Sequence, residues 1–264
     1  MARVAGAVAW ISVAPVKGLR LEQRDEVELG ESGVPGDRAF FVVDDRGVMV
    51  SASRLGPLVA VVPRHDAQEG TLVLRFPDGE EVGGSIELGE PERVRFYGEA
   101  VRGRAVGGPF SEALSRHCRK RVRLIAALPE RSGLDRGREG GATLLSVAAL
   151  ERLRSQAAAD DPVDPRRFRM TFGIDGLDAH EEDGWIDREV RIGDALLRVL
   201  GNVGRCALTT RDPDTGVVDF KTLHHLKAYR DRVPTTEPLP FGVHACVLRP
   251  GRVRLGDTVA LVQE

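Results

Sequence analysis

Several common chemistries are excluded by what this chain has little of. Its 264 residues include three cysteines, Cys118, Cys206 and Cys246. They lie far apart and form no CxxC, so neither a disulfide framework nor a paired-thiol metal site can be read from them. Separated thiols fit a reducing cytoplasm, where a cysteine stays available for chemistry. The formal charge is only -2, from 38 Lys+Arg against 40 Asp+Glu, so no global field favours nucleic acid or an anionic membrane surface. No apolar run approaches the roughly 18 residues of a membrane-spanning helix. The apolar opening from Val4 to Val16 has only Arg3 ahead of it and no small-residue cleavage site behind it. Val4, Val8, Trp10 and Ile11 therefore read as a first strand and not as a secretion signal. GxGxxG, Walker A, HExxH and GxSxG sequences are absent, which removes the dinucleotide, P-loop, zinc-protease and α/β-hydrolase readings.

Short apolar segments separated by turn residues fill the first half. Val8–Val13, Glu26–Leu29, Phe40–Val43, Leu58–Val62, Thr71–Phe76 and Ser85–Leu88 are expected strands, with Asp44–Gly47 and Pro77–Gly79 as turns. Regular strand and turn signals of this kind suggest a small barrel or sandwich. A helix is expected from Phe110, capped by Ser111, with Cys118 in the core at its end, followed by a strand at Val122–Ala126. Leu128–Gly141 is too charged and glycine-rich for a core element and reads as a linker. Beyond it, Thr143–Leu145 is a strand and Ser146 caps a helix reaching about Ala159, with Val147, Leu150 and Leu153 as its buried stripe. Arg167–Phe172 alternates cationic and apolar residues and is expected to be a strand that presents Arg167 and Arg169 on one face. Thr222–Arg230 is a helix, and Val243–Leu248, Val253–Leu255 and Val259–Val262 close the chain as strands.

The most informative stretch follows the strand Ala195–Leu200. Gly201-Asn202-Val203-Gly204 lets the backbone turn and approach another segment closely. Then come Arg205, Cys206, the hydroxyls of Thr209 and Thr210, and the turn Asp212-Pro213-Asp214-Thr215-Gly216. An arginine beside a cysteine can favour the thiolate, the form that binds metals and attacks electrophiles, and hydroxyls and loop amides can hold an anion next to it. The same pattern also fits a buried structural cysteine before a hairpin turn. Lys17, Arg38 and Arg54 each sit beside Gly, Ser or a turn, where they either clamp a phosphate or remain solvated loop cations. His180-Glu181-Glu182-Asp183 reads as a solvated loop rather than a metal cluster, and His224 and His225 are base candidates that the sequence cannot place. His244 and Cys246 share a strand face and, with Cys206, form a weak zinc alternative.

Gly204-Arg205-Cys206-Ala207-Leu208-Thr209-Thr210-Arg211-Asp212-Pro213-Asp214-Thr215-Gly216, preceded by Asp164-Pro165-Arg166-Arg167-Phe168-Arg169, resembles a MOSC domain, the C-terminal domain of molybdenum cofactor sulfurases. Pro15-Val16-Lys17 and Gly36-Asp37-Arg38-Ala39-Phe40 resemble the MOSC N-terminal β-barrel domain. The order is that of the amidoxime-reducing component and its bacterial relatives. The resemblance implies a mainly β (α+β) protein, with an N-terminal β-barrel domain over 1–125, a barrel-like MOSC domain over 126–264 and a few short helices. It also implies a molybdenum cofactor, a phosphate-bearing pterin dithiolene with an oxo-molybdenum centre. Cys206 would ligate the metal and act catalytically, Lys17, Arg38 and Arg169 would bind the pterin or its phosphate, and Ser146, Thr209 and Thr210 would line the same site. The activity implied is reduction of a small N-hydroxylated compound. Electrons would come from a separate ferredoxin or a cytochrome- or flavoprotein-type reductase, since no cysteine-rich ferredoxin-like tail follows.

A second reading is a molybdenum-cofactor or sulfur carrier with a persulfide on Cys206. Pyridoxal phosphate enters only as a family-level association, through a desulfurase domain this sequence does not contain. A third alternative is a β-domain without catalysis. Two departures from the family pattern bear on cofactor retention: Gly18 stands where a serine is frequent, and Met170-Thr171 follow Arg169 where Pro-Asn is frequent.

Overall fold

The computed structural model describes residues 2–128 and 141–262. The expected linker at 128–141 therefore lies almost wholly outside the described residues. In chain order the elements are β1 (Ala2–Val13), β2 (Glu22–Arg24), β3 (Glu26–Leu29), β4 (Phe40–Asp44), β5 (Val62–Asp66), β6 (Thr71–Arg75) and β7 (Glu81–Ser85). They continue with β8 (Leu88–Phe96), β9 (Glu99–Val106), α1 (Phe110–Cys118), β10 (Val122–Ala127), β11 (Ala142–Ser146), α2 (Val147–Ala157) and β12 (Phe172–Asp175). The last are β13 (Glu189–Ile192), β14 (Ala195–Asn202), α3 (Thr222–Arg230), β15 (Val243–Arg249), β16 (Gly251–Arg254) and β17 (Thr258–Val262). The protein is mainly β.

Seven strands close into a barrel in the order β12-β11-β15-β14-β13-β17-β1, with β1 pairing back onto β12 and β2 lying outside on β1. Closure leaves no long sheet edge unpaired. The interior holds Val8, Ile11, Leu144, Phe172, Ile174, Val190, Leu197, Val199, Val243 and Val259, each almost without solvent contact. Only β11 and β12 run parallel, and the connection between them carries α2, as a parallel pair requires a long crossover. At the β1–β12 seam Gly173 faces Trp10. A Cβ on Gly173 would fall 2.1 Å from an indole carbon, so the seam closes only because no side chain stands there.

The expected division near residue 125 is crossed by the first strands. β1 completes the C-terminal barrel, and β3 pairs with β16. The remaining N-terminal strands form a four-stranded sheet, β4-β10-β9-β8, and a three-stranded one, β5-β6-β7. Together with α1 they enclose Val16, Leu19, Phe40, Val42, Leu58, Leu72, Leu74, Phe110, Leu114 and Leu124. A third cluster joins α2 and α3 to the barrel through Leu145, Leu150, Leu153, Phe168, Met170, Leu226 and Phe241. Phe168 and Phe241 stack there at 4.4 Å.

Four local expectations are corrected, the first being Ser85–Leu88, which links the end of β7 to the start of β8 and is not itself a strand. Gly56–Ala60 is a 3-10 turn opened by Pro57, and the strand begins only at Val62. Ser111 lies inside α1 and not at its cap, and its hydroxyl accepts the Leu124 amide at 3.0 Å. Pro165–Phe168 is also a 3-10 turn, capped by the Asp164 carboxylate accepting the Arg166 amide at 2.8 Å. A capped, proline-opened turn satisfies that segment's amides locally, so its alternating pattern does not become a strand.

Candidate functional site

A cleft of about 500 Å³ lies between the two lobes. The N-terminal wall carries Lys17, Gly18, Arg38, Ser51, Ala52 and Tyr97; the barrel side carries Thr143, Arg167 to Met170, Val203 to Cys206, Leu208, Thr209 and Glu237. Glu237 is the one carboxylate among these lining residues, against the cations Lys17, Arg38, Arg167, Arg169 and Arg205. Such a wall favours an anionic occupant.

Cys206 is exposed at this cleft, in extended conformation (φ -117°, ψ 175°) ahead of a 3-10 turn at Ala207–Thr210. The strand β14 ends at Asn202, and Gly204 then passes tightly against Glu237-Pro238. A Cβ there would lie 2.5 Å from Glu237 Oε2 and 2.8 Å from Pro238 Cδ. This is the close approach that the glycines of the sequence implied. The Cys206 carbonyl accepts the Thr209 amide at 3.1 Å and the Thr209 hydroxyl at 3.0 Å. The Asp212 carboxylate folds the following turn by accepting the Thr215 amide and hydroxyl, each at 2.7 Å. Arg20 reaches Asp214 at 3.0 Å, Arg166 reaches Asp214 at 2.8 Å, and Arg211 donates to the Ser53 carbonyl at 2.7 Å. The lobes are thus fastened together at the loop that carries the thiol.

The expected site residues separate into those the cleft gathers and those it does not. Cys206, Lys17, Arg38, Arg169 and Thr209 line it; Ser146 and Thr210 do not. Ser146 is fully buried. Its hydroxyl accepts the Ala149 amide at 3.0 Å as the cap of α2 and donates to the Asp178 carbonyl at 3.1 Å. Its capping role agrees with the sequence reading, and a place in the cleft does not. Thr210 donates to the Ala207 carbonyl at 2.7 Å. Arg54 is exposed and His224 and His225 are on α3; none of the three lines the cleft.

The cations differ in their partners. Arg167 is fixed by a two-pronged contact with Asp219 at 2.7 and 2.6 Å. Arg38 pairs with Asp37 and extends one nitrogen to the Arg169 carbonyl at 3.4 Å. Lys17 holds its ammonium 5.1 Å from the Tyr97 ring centre and 5.6 Å from that of Phe96. Arg205 was expected to serve the thiol. Instead its guanidinium donates to the Phe241 carbonyl at 3.0 Å, to the Phe168 carbonyl at 2.8 Å and to Met170 Sδ at 2.8 Å. It ties three segments together within the cleft wall, with 8% of its surface exposed. Met170, the first residue of the Met170-Thr171 departure from the family pattern, is part of that tie. Thr171, the second residue of that departure, is buried, with its hydroxyl 3.2 Å from that of Thr143.

His180–Asp183 is not a solvated loop. His180 and Glu182 are in the interior beside the helical layer, and Asp183 bridges the Asn202 amide at 2.7 Å and Arg230 at 2.5 Å. Glu182 accepts the Ser146 amide at 3.2 Å, and burial pushes its carboxyl up to about 7. Burial first, then Arg230 and Arg152, pushes His180 down to about 3. No group of three or more His, Cys, Asp or Glu side chains able to hold a metal occurs among the described residues. The zinc alternative with His244 and Cys246 is therefore not supported.

The sequence reading missed Thr143, Glu237 and Tyr97. Thr143 and Glu237 come from segments remote from the cysteine. Tyr97 is the first residue of the tight β8–β9 turn, where Phe96 pairs with Glu99. A Tyr-Gly pair carries little of the hairpin signal of Asn-Gly.

Fold and cleft define a two-lobed β protein in which a closed barrel presents one thiol to a cation-lined interlobe cleft. The chain belongs to the MOSC family: the MOSC domain model matches residues 136–260 and the MOSC N-terminal beta barrel domain model matches residues 5–120. It is 29% identical over 294 residues to the mitochondrial amidoxime-reducing component 1 of Xenopus laevis, covering 96% of this chain and 81% of that protein. It is 29% identical over 286 residues to the human protein of the same name, with 97% and 83% covered. The human mitochondrial amidoxime reducing component 2 is 27% identical over 283 residues, with 96% and 83% covered. The chain is thus a distant homologue of amidoxime-reducing enzymes.

Proposed function

We propose that this protein is a molybdenum-cofactor-dependent oxidoreductase that reduces N-hydroxylated compounds with electrons from a separate protein. The observation that carries this reading is the exposed Cys206 thiol in a cleft whose two walls supply Lys17, Arg38 and Arg169. The donor set suits the cofactor, because a phosphate-bearing dithiolene brings its own soft ligands and needs one more thiolate from the protein. The likeness to amidoxime-reducing components supports the substrate class.

When bound, the cofactor would supply two-electron redox chemistry, held by Cys206 with Lys17, Arg38 and Arg169. Overall, the substrate N–O bond is cleaved, two electrons and two protons are taken up, and water is released. The chain's own part is holding and shielding. Cys206 offers its sulfur from a loop fixed at both ends, by Gly204 against Pro238 and by Asp212 in the turn. Lys17, Arg38 and Arg169 offset the cofactor's negative charge, and Arg38 through the Arg169 carbonyl couples the two walls. Glu237 is the carboxylate at hand for moving a proton at the cleft. Electrons would arrive from a ferredoxin or a cytochrome- or flavoprotein-type reductase, in a reducing compartment such as the cytoplasm.

The test is molybdenum and pterin content of wild type and Cys206→Ala, purified from cells that make the cofactor. Near-stoichiometric metal in wild type, lost or labile in the variant, is the expected result. Folded wild-type protein without metal would refute the proposal; a persulfide on Cys206 in that protein would then identify a sulfur carrier.

A further inference from the structure

Tyr97 is held in a conformation that tyrosine disfavours. Its φ is +51° and that of Gly98 is +89°. With Phe96 and Glu99 paired across them, the two residues form the tight hairpin turn in which both central positions need left-handed backbone. Asn-Gly or Asp-Gly is the low-cost choice there, whereas a bulky residue carries strain. Nothing in the core requires this side chain, since Tyr97 is 65% exposed. Strain maintained at a cleft rim points to a role in the site.

The geometry supplies that role. The β8–β9 turn stands over Lys17, whose ammonium lies 5.1 Å from the Tyr97 ring centre and 5.6 Å from that of Phe96. The two rings meet edge to face at 5.0 Å. Lys17 and Tyr97 both line the cleft, and the backbone of Lys17 is pinned by its amide donating to the Phe40 carbonyl at 2.7 Å. A lysine side chain has four flexible bonds, and a fixed ammonium is a better anion ligand than a mobile one.

We propose that Tyr97 is a positioning residue for anion binding: its ring, carried on a strained hairpin turn, holds the Lys17 ammonium at the cleft wall. The anion is the cofactor of the function proposed above, and the inference rests on that reading for the anion's identity only. The contact between ring and ammonium stands without it.

The 264 residues include four lysines, Lys17, Lys120, Lys221 and Lys227. The last three are exposed and serve as internal references for acylation rates followed by mass spectrometry. In Tyr97→Asn the ring is gone and the turn relaxes. Lys17 should then acylate about two- to fivefold faster, the factor a partly exposed cation–π contact supplies. The melting temperature should rise by about 2–4 °C through relief of strain. Molybdenum and pterin should be lost on dialysis faster by the same two- to fivefold. Tyr97→Phe keeps the ring and the strain and should match wild type in all three. An unchanged Lys17 rate in Tyr97→Asn would overturn the assignment, as would Tyr97→Phe behaving like Tyr97→Asn or a lowered melting temperature in Tyr97→Asn. If wild type holds neither molybdenum nor pterin, the proposed function fails, while the acylation rates still decide the role of Tyr97.

Discussion

Glu182 offers the sharpest test of the energetics behind the cleft. Its side chain is fully buried, with Oε1 accepting the Ser146 amide at 3.2 Å and Oε2 without a hydrogen-bond partner. Burial lifts its carboxyl from 4.5 to about 7; the repulsion of Asp183 adds to the lift, and the Ser146 amide and Arg230 oppose it. In the unfolded chain the group ionises near 4.5. Between these values the folded protein holds a proton that the unfolded chain has released, so stability falls as pH rises through the window. The contribution is fully present below about pH 4.5 and gone above about pH 7. A shift of this size corresponds to about 3 kcal/mol. Glu182→Gln keeps the acceptor and cannot ionise. It should therefore be more stable than wild type by about 3 kcal/mol at pH 8 and near parity at pH 4.

The absolute pH curve of wild type will hide this effect. His180 is depressed to about 3 by the same interior. A histidine held neutral in the folded state contributes stability that is lost as pH falls through the window from 6.5 towards 3. Its slope is opposite to that of Glu182, and over the shared range the two cancel. The informative quantity is the difference between Glu182→Gln and wild type, measured by urea unfolding at several pH values from 4 to 8. A difference that stays constant with pH would refute the reasoning, because it would mean that Glu182 ionises alike in both states.

Three further outcomes follow from the contacts. Ser146→Ala removes the cap of α2 and the bond to the Asp178 carbonyl, and should lower unfolding free energy by about 1–2 kcal/mol. It should leave molybdenum content unchanged, and a loss of metal at undiminished stability would restore Ser146 to the site. Gly173→Ala drives a methyl group into the Trp10 ring and should cost about 3 kcal/mol in urea unfolding, at the upper end of overpacking. Adding Trp10→Ala should recover part of that loss, and strictly additive losses would argue against the contact. Arg205→Met leaves the buried carbonyls of Phe168 and Phe241 short of a donor and should destabilise by about 3 kcal/mol; an unfolding curve like that of wild type would contradict its structural role.

The strands that the sequence made legible are those with one buried face and a clear turn at each end, such as β3, where Glu26 and Glu28 face solvent and Val27 and Leu29 do not. Their partners were not legible. Pairing of β1 with β12 and β17 joins residues separated by most of the chain, and nothing local to Val8–Val13 distinguishes that from a hairpin within the first lobe. The cations show the same limit. Lys17, Arg38 and Arg169 were singled out together with Arg54 and Arg167, and only topology separates them. Asp219 lies 52 positions from the arginine it pairs with, while Arg54 simply faces outwards.

Arg205 is different, because the needed signal was present. Its position directly before Cys206 suggested that it could favour the thiolate. Along extended backbone, successive side chains leave on opposite sides, and the segment after a strand end and before a turn is where extended backbone is expected. Period two therefore sends residue 205 inward whenever it sends residue 206 to the cleft. The structure has Arg205 8% exposed and Cys206 open to solvent. By the same rule the neighbours that can act on Cys206 are residues two apart on its side or residues from other strands. Those are the positions the cleft supplies from the opposite lobe, through Lys17 and Arg38, and no reading confined to the cysteine's own segment could have named them.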